Sequence, residues 1–465
     1  MDLINLRKLR SLCERLVKSV IPGTPMSWEN VALAASIAFL PLFFLTIKNW
    51  TETCLVIMAL ISAYGIWKSG LKPRDFFPDR ETAWIFIALM TPLVGNVLVF
   101  LLRGDLRLGM LRYDWDFING PSRIAMAGIA FLWMRHQGVR FTETFRIICP
   151  LSIIFIPFFL HGGEGGAGID ERFCTKIIDV DNISMQVALL GSFVFLSLLF
   201  DPLKDYKMTI LNIVAIASAI YVAIASQGRG GWIAAPVIII MAILLHRGPK
   251  IALVKVLLIG LICLAVAAPF SKALVKRSKS IYTEYQDWRT GRNQDTASGA
   301  RLTMWKISWQ LIKERPMLGY GHRDVLWGPV YSVKKEVYCL PQEDYTSRDK
   351  EYARMTLCRV GPHNQLFSDL LRGGLLTLSS TLAFILIPLT LFLMQWKRAS
   401  RDAQLALSMG IMMIACFLVF CITQSPLGLK VFWSFYGFLV AAISAQALSS
   451  GDTKKLQQAG AVQTT

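Results

Sequence analysis

The chain has 465 residues and a formal net charge of +18, yet only 17% of its residues are charged and 54% are hydrophobic. With a mean hydropathy of +0.48, this balance excludes an ordinary soluble enzyme and points to a chain that lives in lipid. The basic excess fits anionic head groups and cytoplasmic loops, so nucleic acid is not an expected partner.

In chain order, residues 1–28 come first, with Leu6, Leu9, Leu12, Leu16 and Val20 along one helical face among basic residues. The pattern predicts a helix lying on the inner membrane surface. No continuous apolar core or small-residue cleavage site marks a removed signal peptide.

About twelve apolar runs then approach the roughly 20 residues that cross the hydrocarbon core. They lie near 30–47, 52–67, 83–102, 121–134, 145–160, 184–200, 207–225, 231–246, 250–270, 374–395, 404–422 and 429–447. The first nine fall within residues 29–270 and the last three within 374–448, followed by a polar cytoplasmic tail over 449–465. The fourth run, "RIAMAGIAFLWM", is the weakest and also reads as a tilted or re-entrant piece. The expected fold is an all-α polytopic membrane protein.

Orientation follows from basic residues, which stay on the cytoplasmic side of short loops. Lys68, Lys72, Arg74 and Arg80, then Arg135 and Arg140, then Lys397, Arg398 and Arg401 would all lie inside if both termini do. Cys54, Cys149, Cys263, Cys416 and Cys421 fall in spans and read as small apolar residues.

Between the ninth and tenth spans, residues 271–373 are too polar and too long for a simple connection. They read as a helical lid on the outer side. Leu302, Trp305, Trp309 and Ile312 recur at helical spacing before Pro316, and "MLGYGHRD" forms a turn. Pro362 opens a second helix with an apolar face of Leu366, Phe367, Leu370 and Leu371. Cys339 and Cys358 both lie in this loop; on an oxidising side they are a disulfide candidate, worth about 3 kcal/mol.

Three of the five histidines, His161, His322 and His363, fall outside, whereas His136 and His246 join the basic inner fringe. His363 lies at a helix N-terminus, which disfavours imidazolium and leaves a ring able to accept a proton near pH 7. It reads as a general base or as an ordinary cap. In "ASQGRGGW", Arg229 stands between glycines in a tight outer turn, either a bidentate phosphate ligand or a snorkelling anchor. Arg301 precedes the lid stripe. Asp114 and Asp116, and Asp179 and Asp181, form two short acidic triplets that read better as solvated loop acids than as a metal site. No metal and no cofactor is expected.

Arg301 with Trp305, then Pro316, then Gly319, Tyr320 and Gly321, then His363 and Asn364 resemble the shared domain of O-antigen ligases, O-antigen polymerases and bacterial O-oligosaccharyltransferases. His363, Asn364, Gly374 and Thr377 fit the ligase form of the motif without gaps, and "SQGRGGW", with Gln227 and Arg229, is similar to the family's outer arginine motif. The resemblance implies an inverting, metal-independent membrane glycosyltransferase of the GT-C-like class in a Gram-negative inner membrane. It would move O-antigen from undecaprenyl diphosphate to a sugar hydroxyl of lipid A-core on the periplasmic face. It implies His363 as base, Arg229 and Arg301 on the diphosphate, and Asn364, Tyr320, Gln227 and Gly321 contacting or shaping the substrate site. Length favours the ligase over the protein-glycosylating members, whereas only motif detail separates it from the polymerase. A transporter is the rival outside enzymology, but the long loop follows span nine rather than the middle of the chain.

Overall fold

The computed structural model describes residues 3–103, 111–162, 173–175, 180–200, 205–246, 271–293, 296–321, 362–397 and 399–462, with scattered positions between 253 and 268. The helices are α1 (Leu3–Val20), α2 (Trp28–Phe39), α3 (Trp50–Ser69), α4 (Arg80–Arg103), α5 (Leu111–His136), α6 (Phe141–Phe155) and α7 (Val180–Phe200). They continue as α8 (Tyr206–Ala225), α9 (Arg229–Leu245), α10 (Ser271–Arg289), α11 (Ala297–Glu314), α12 (Gln365–Trp396), α13 (Arg401–Thr423) and α14 (Lys430–Val462). A two-residue antiparallel ribbon pairs β1 (His161–Gly162) with β2 (Phe173–Cys174).

Side-chain oxygens start several helices by accepting otherwise unpaired amides: Ser27 for α2, Asp205 for α8, Thr296 for α11, Asn364 for α12 and Ser400 for α13. Among the described residues, eight helices are long and apolar enough to cross a membrane, and α9 is a shorter apolar one. The chain is a polytopic integral membrane protein. α7 and α14 are enclosed, with 89% and 94% of their apolar windows buried, whereas only 33% of α8's is, leaving it an apolar face for lipid. α14 packs along α5, α12 along α4, and α9 against both α7 and α13.

Three sequence expectations are refined. The first apolar run is helical only to Phe39; beyond it the backbone turns irregularly, and Ser152 and Thr175 hydroxyls donate to the carbonyls of Pro41 and Leu45. Irregular backbone survives in an apolar layer where neighbouring side chains satisfy it. The doubtful fourth run is part of the continuous helix α5, packed on α3, α4 and α14. In α11 the buried stripe is Ala300, Met304, Ser308, Leu311 and Ile312, while Trp309 is 51% exposed.

The N-terminal helix α1 packs on α2 and α6 through its last turn, with Val17 and Val20 buried and Leu12 exposed. Two ion pairs fasten one end of the bundle. Lys68 meets Glu29 at 2.7 Å, and Arg135 meets Asp79 at 3.0 Å. The Asp79 carboxyl is held below its ordinary value: burial pushes it up, but hydrogen bonds from Thr82 and Arg135 outweigh burial. Arg103 at the end of α4, the α8–α9 turn and the α13–α14 turn gather at the opposite end.

That opposite end carries a small second core. Ala300, Met304, Leu311, Ile312, Tyr320 and Leu371 bury one another, and Phe367 and Leu370 pack on them. This core joins α11 to the first two turns of α12. α12 then breaks at Gly373 and Gly374, where Gly374 has φ 62° and ψ −154°, a combination open essentially to glycine alone. A Cβ on Gly374 would collide with the Met317 carbonyl, and the amide after it, Leu375, donates to Pro316 at 2.8 Å. Gly374→Ala is therefore expected to destabilise this end by about 1–3 kcal/mol, read as a lower thermal midpoint in detergent; an unchanged midpoint would remove the break as a structural requirement. Thr377 donates to Asn96 at 3.1 Å, tying the resumed helix to α4.

Candidate active site at the head of α12

His363 sits just ahead of α12, with Asn364 as the cap, so it stands outside the first turn rather than in it. Its φ of 48° is left-handed, one of three such non-glycine residues among the described residues; Gln227, beside Arg229, is another at 53°. Left-handed backbone at a bulky residue costs energy and persists where surrounding contacts over-determine it.

Those contacts come from the turn after α13. His363 Nδ1 lies 2.7 Å from Gln424 Oε1. An amide oxygen only accepts, so Nδ1 is the donor in this contact. Asn364 Nδ2 donates to the Ile422 carbonyl at 3.2 Å, while its Oδ1 accepts from the Phe367 amide at 3.1 Å. Ser368 and Ser425 hydroxyls pair at 2.8 Å. Gln365, fully buried, accepts from the Leu427 amide at 2.9 Å and donates to Asp369 Oδ1 at 2.8 Å. Buried polar groups bonded to one another in this way rigidify their surroundings.

Helix α11 reaches the same place. Trp305 Nε1 donates to the Pro362 carbonyl at 2.8 Å, and its ring lies 6.1 Å from that of Phe367. Arg301 precedes Trp305 by four residues on α11 and so shares its face, one turn nearer the helix start. Arg301 is half-buried.

The arginine turn arrives through α9. Gly228 caps the helix that Arg229 opens, and Gly228's carbonyl accepts from Ser184 at 2.8 Å. A Cβ on Gly230 would lie 3.1 Å from Thr423 Oγ1, one residue before Gln424. Gly231 abuts Ser184 in the same way. Gly230 and Gly231 thus serve close helix packing, which brings the backbone of Arg229 to the corner where Gln424 holds His363. The Arg229 side chain lies outside the described residues.

Tyr320 and Gly321 are positioned differently. Tyr320 is 2% exposed, its hydroxyl donates to Glu314 at 2.7 Å, and the Arg315 guanidinium lies 5.0 Å from its ring centre. Its amide donates to the Leu371 carbonyl at 2.6 Å, and its carbonyl accepts from Arg103 Nη2 at 2.8 Å. Gly321, at φ 104°, backs onto the same guanidinium and donates to the Arg372 carbonyl at 2.7 Å. These two residues lock the lid turn onto α12 and α4.

His322, Cys339, Cys358 and Asp179 lie outside the described residues, as do the side chains of His161, Asp114, Asp116 and Asp181. Among the described residues, no group of three His, Cys, Asp or Glu side chains could hold a metal ion. Sequence reasoning missed Gln424, Gln365 and Asp369. The available signal was "TQSPLG", a polar residue and a proline closing an apolar run.

The region from α8 through the break in α12 matches a family model described as O-Antigen ligase, over residues 213–382. This stretch is an O-antigen ligase family domain. It contains Gln227, Arg229, Arg301, Tyr320, His363, Asn364, Gly374 and Thr377, the residues on which the resemblance rested. Members of this ligase and polymerase family act as glycosyltransferase-like enzymes on lipid-linked polysaccharide. The chain is also similar to an uncharacterized protein of Haemophilus influenzae, 27% identical over 394 residues, which cover 83% of this chain and 91% of that protein. Gln424 and the turn around it lie beyond the matched domain.

Proposed function

We propose that the protein is an O-antigen ligase: it transfers O-antigen polysaccharide from undecaprenyl diphosphate to a sugar hydroxyl of lipid A-core. The observation that carries this reading is His363, held through Nδ1 by Gln424 at the junction of the helices bearing Arg229 and Arg301.

In the proposed reaction the acceptor hydroxyl oxygen attacks the anomeric carbon from the face opposite the leaving group, inverting it. The bond from that carbon to the phosphate oxygen breaks, the hydroxyl proton passes to His363 Nε2, and undecaprenyl diphosphate departs with its negative charge. A hydroxyl is a poor nucleophile, and a positioned base accelerates its attack by about 10²–10⁴. Arg229 and Arg301 meet the charge growing on the diphosphate with bidentate guanidinium contacts, the role a divalent metal fills elsewhere. Asn364 and Gln227 shape the site, while Tyr320 and Gly321 hold the lid turn against it.

The reading carries a topology of about twelve spans of the GT-C-like kind, with both termini in the cytoplasm and the lid, residues 271–373, on the periplasmic face of a Gram-negative inner membrane. On that side Cys339 and Cys358 meet oxidising conditions suited to a disulfide. Both substrates are lipid-anchored, so a base at the head-group boundary serves each of them.

Purified protein supplied with carrier-linked glycan and either lipid A-core or a second carrier-linked glycan tests the reaction. Glycan on lipid A-core, at a rate unchanged by EDTA, is expected. Longer carrier-linked chains alone would make it a polymerase, glycan on a pilin-like protein an oligosaccharyltransferase, and EDTA inhibition reversed by Mg²⁺ would end the metal-free mechanism.

A further inference from the structure

We infer that Gln424 is a positioning residue: it fixes the tautomer and the aim of His363, and does so without adding charge. The inference rests on the reading of His363 as the base.

Four observations converge on it. The 2.7 Å bond from His363 Nδ1 to Gln424 Oε1 makes Nδ1 the donor and sets the aim of the ring. Gln424 itself cannot drift, because it is 6% exposed and its amide donates to the Phe420 carbonyl at 2.8 Å. The turn it belongs to is bonded to the head of α12 at three more points, Ile422, Ser425 and Leu427. His363, finally, keeps a left-handed φ of 48°, which lifts it out of the helix toward that turn.

The neutral amide matters. A carboxylate at this position would orient the ring equally well but would stabilise imidazolium, removing the base near neutral pH. The charged residues at this end of the surrounding elements include Arg301, Lys306, Lys313 and Glu314 on α11, Asp369 and Arg372 on α12, Arg229 at the head of α9 and Lys430 at the head of α14. None changes when position 424 is substituted, so a shift in the pH profile reports on that position.

The test compares wild type, Gln424→Leu, Gln424→Glu and His363→Ala, using purified carrier-linked glycan and lipid A-core across a pH series. Gln424→Leu is expected to lower kcat by about 10–100-fold, the scale for removing the orienting partner of a metal-bound histidine, with KM for the donor unchanged. Gln424→Glu keeps the acceptor oxygen and the shape. The base works only when neutral, so raising its affinity for a proton moves the acid limb of kcat/KM to higher pH, by about 1 unit or more. An acid limb that stays in place in Gln424→Glu, or wild-type kcat in Gln424→Leu, overturns the inference while an inactive His363→Ala still upholds the base. An active His363→Ala removes the base reading itself.

Discussion

His363→Ala is expected to lower kcat/KM for glycan transfer by about 10²–10⁴-fold, the range for losing a positioned general base. The loss should fall on kcat, because the proton moves only as the acceptor hydroxyl attacks. Alanine also removes the hydrogen bond to Gln424 and has to adopt the 48° φ that His363 holds. His363→Asn separates these effects. Asparagine tolerates left-handed backbone and offers an amide toward Gln424, but it has no basic nitrogen. Both variants should be comparably inactive in a single-turnover assay and run as monodisperse protein in detergent; wild-type turnover in His363→Asn would remove the imidazole from the mechanism.

Arg229→Ala and Arg301→Ala are each expected to reduce kcat by about 10²–10³-fold, the scale for deleting one fixed donor from a developing negative charge. Lysine restores charge without the planar fork, so Arg229→Lys should recover only part of the loss. The two arginines reach the site by different routes, Arg229 at the start of α9 and Arg301 on α11 with Trp305. If both meet the same diphosphate, the double alanine variant should lose less than the product of the single losses. Full independence of the two losses would mean they act on different groups. An effect confined to KM would make them ground-state ligands of the donor.

Much of the architecture was legible because a bilayer demands long apolar helices, and the runs from Trp50 to Ser69 and from Arg80 to Arg103 meet that demand directly. The boundary of the second lid helix was less legible: Pro362 was expected to open it, but Asn364 caps it and Gln365 begins it. The phase of α11 was misread for a physical reason. A large aromatic at helical spacing reads as core, so Trp309 looked buried and is exposed, while small Ser308 is fully buried. Likewise the first apolar run predicted helix through residue 47, and hydroxyls from Ser152 and Thr175 instead satisfy an irregular backbone.

The candidate site divides the same way. His363, Asn364, Gly374 and Thr377 could be read because their spacing forms a motif, and the structure supplies reasons for the last two: Gly374 permits the break, and Thr377 anchors the resumed helix to Asn96. Gln424 had only a weak signal. It lies 61 residues after His363, and a single glutamine after an apolar run has no periodicity to single it out. The sequence marked the glycines around Arg229 as a tight turn, and the structure shows that Gly230 and Gly231 admit Met185, Thr423 and Ser184.

The central claim is that two lipid-tethered substrates meet beneath the lid on the side of the membrane away from the cytoplasm. Trp309, exposed on α11, offers a direct probe. In Trp309→Cys, compared with wild type to subtract native cysteines, a membrane-impermeant maleimide should label the new thiol when only the outer membrane has been opened. Labelling that appears only after the inner membrane is breached would put the lid in the cytoplasm and contradict the account.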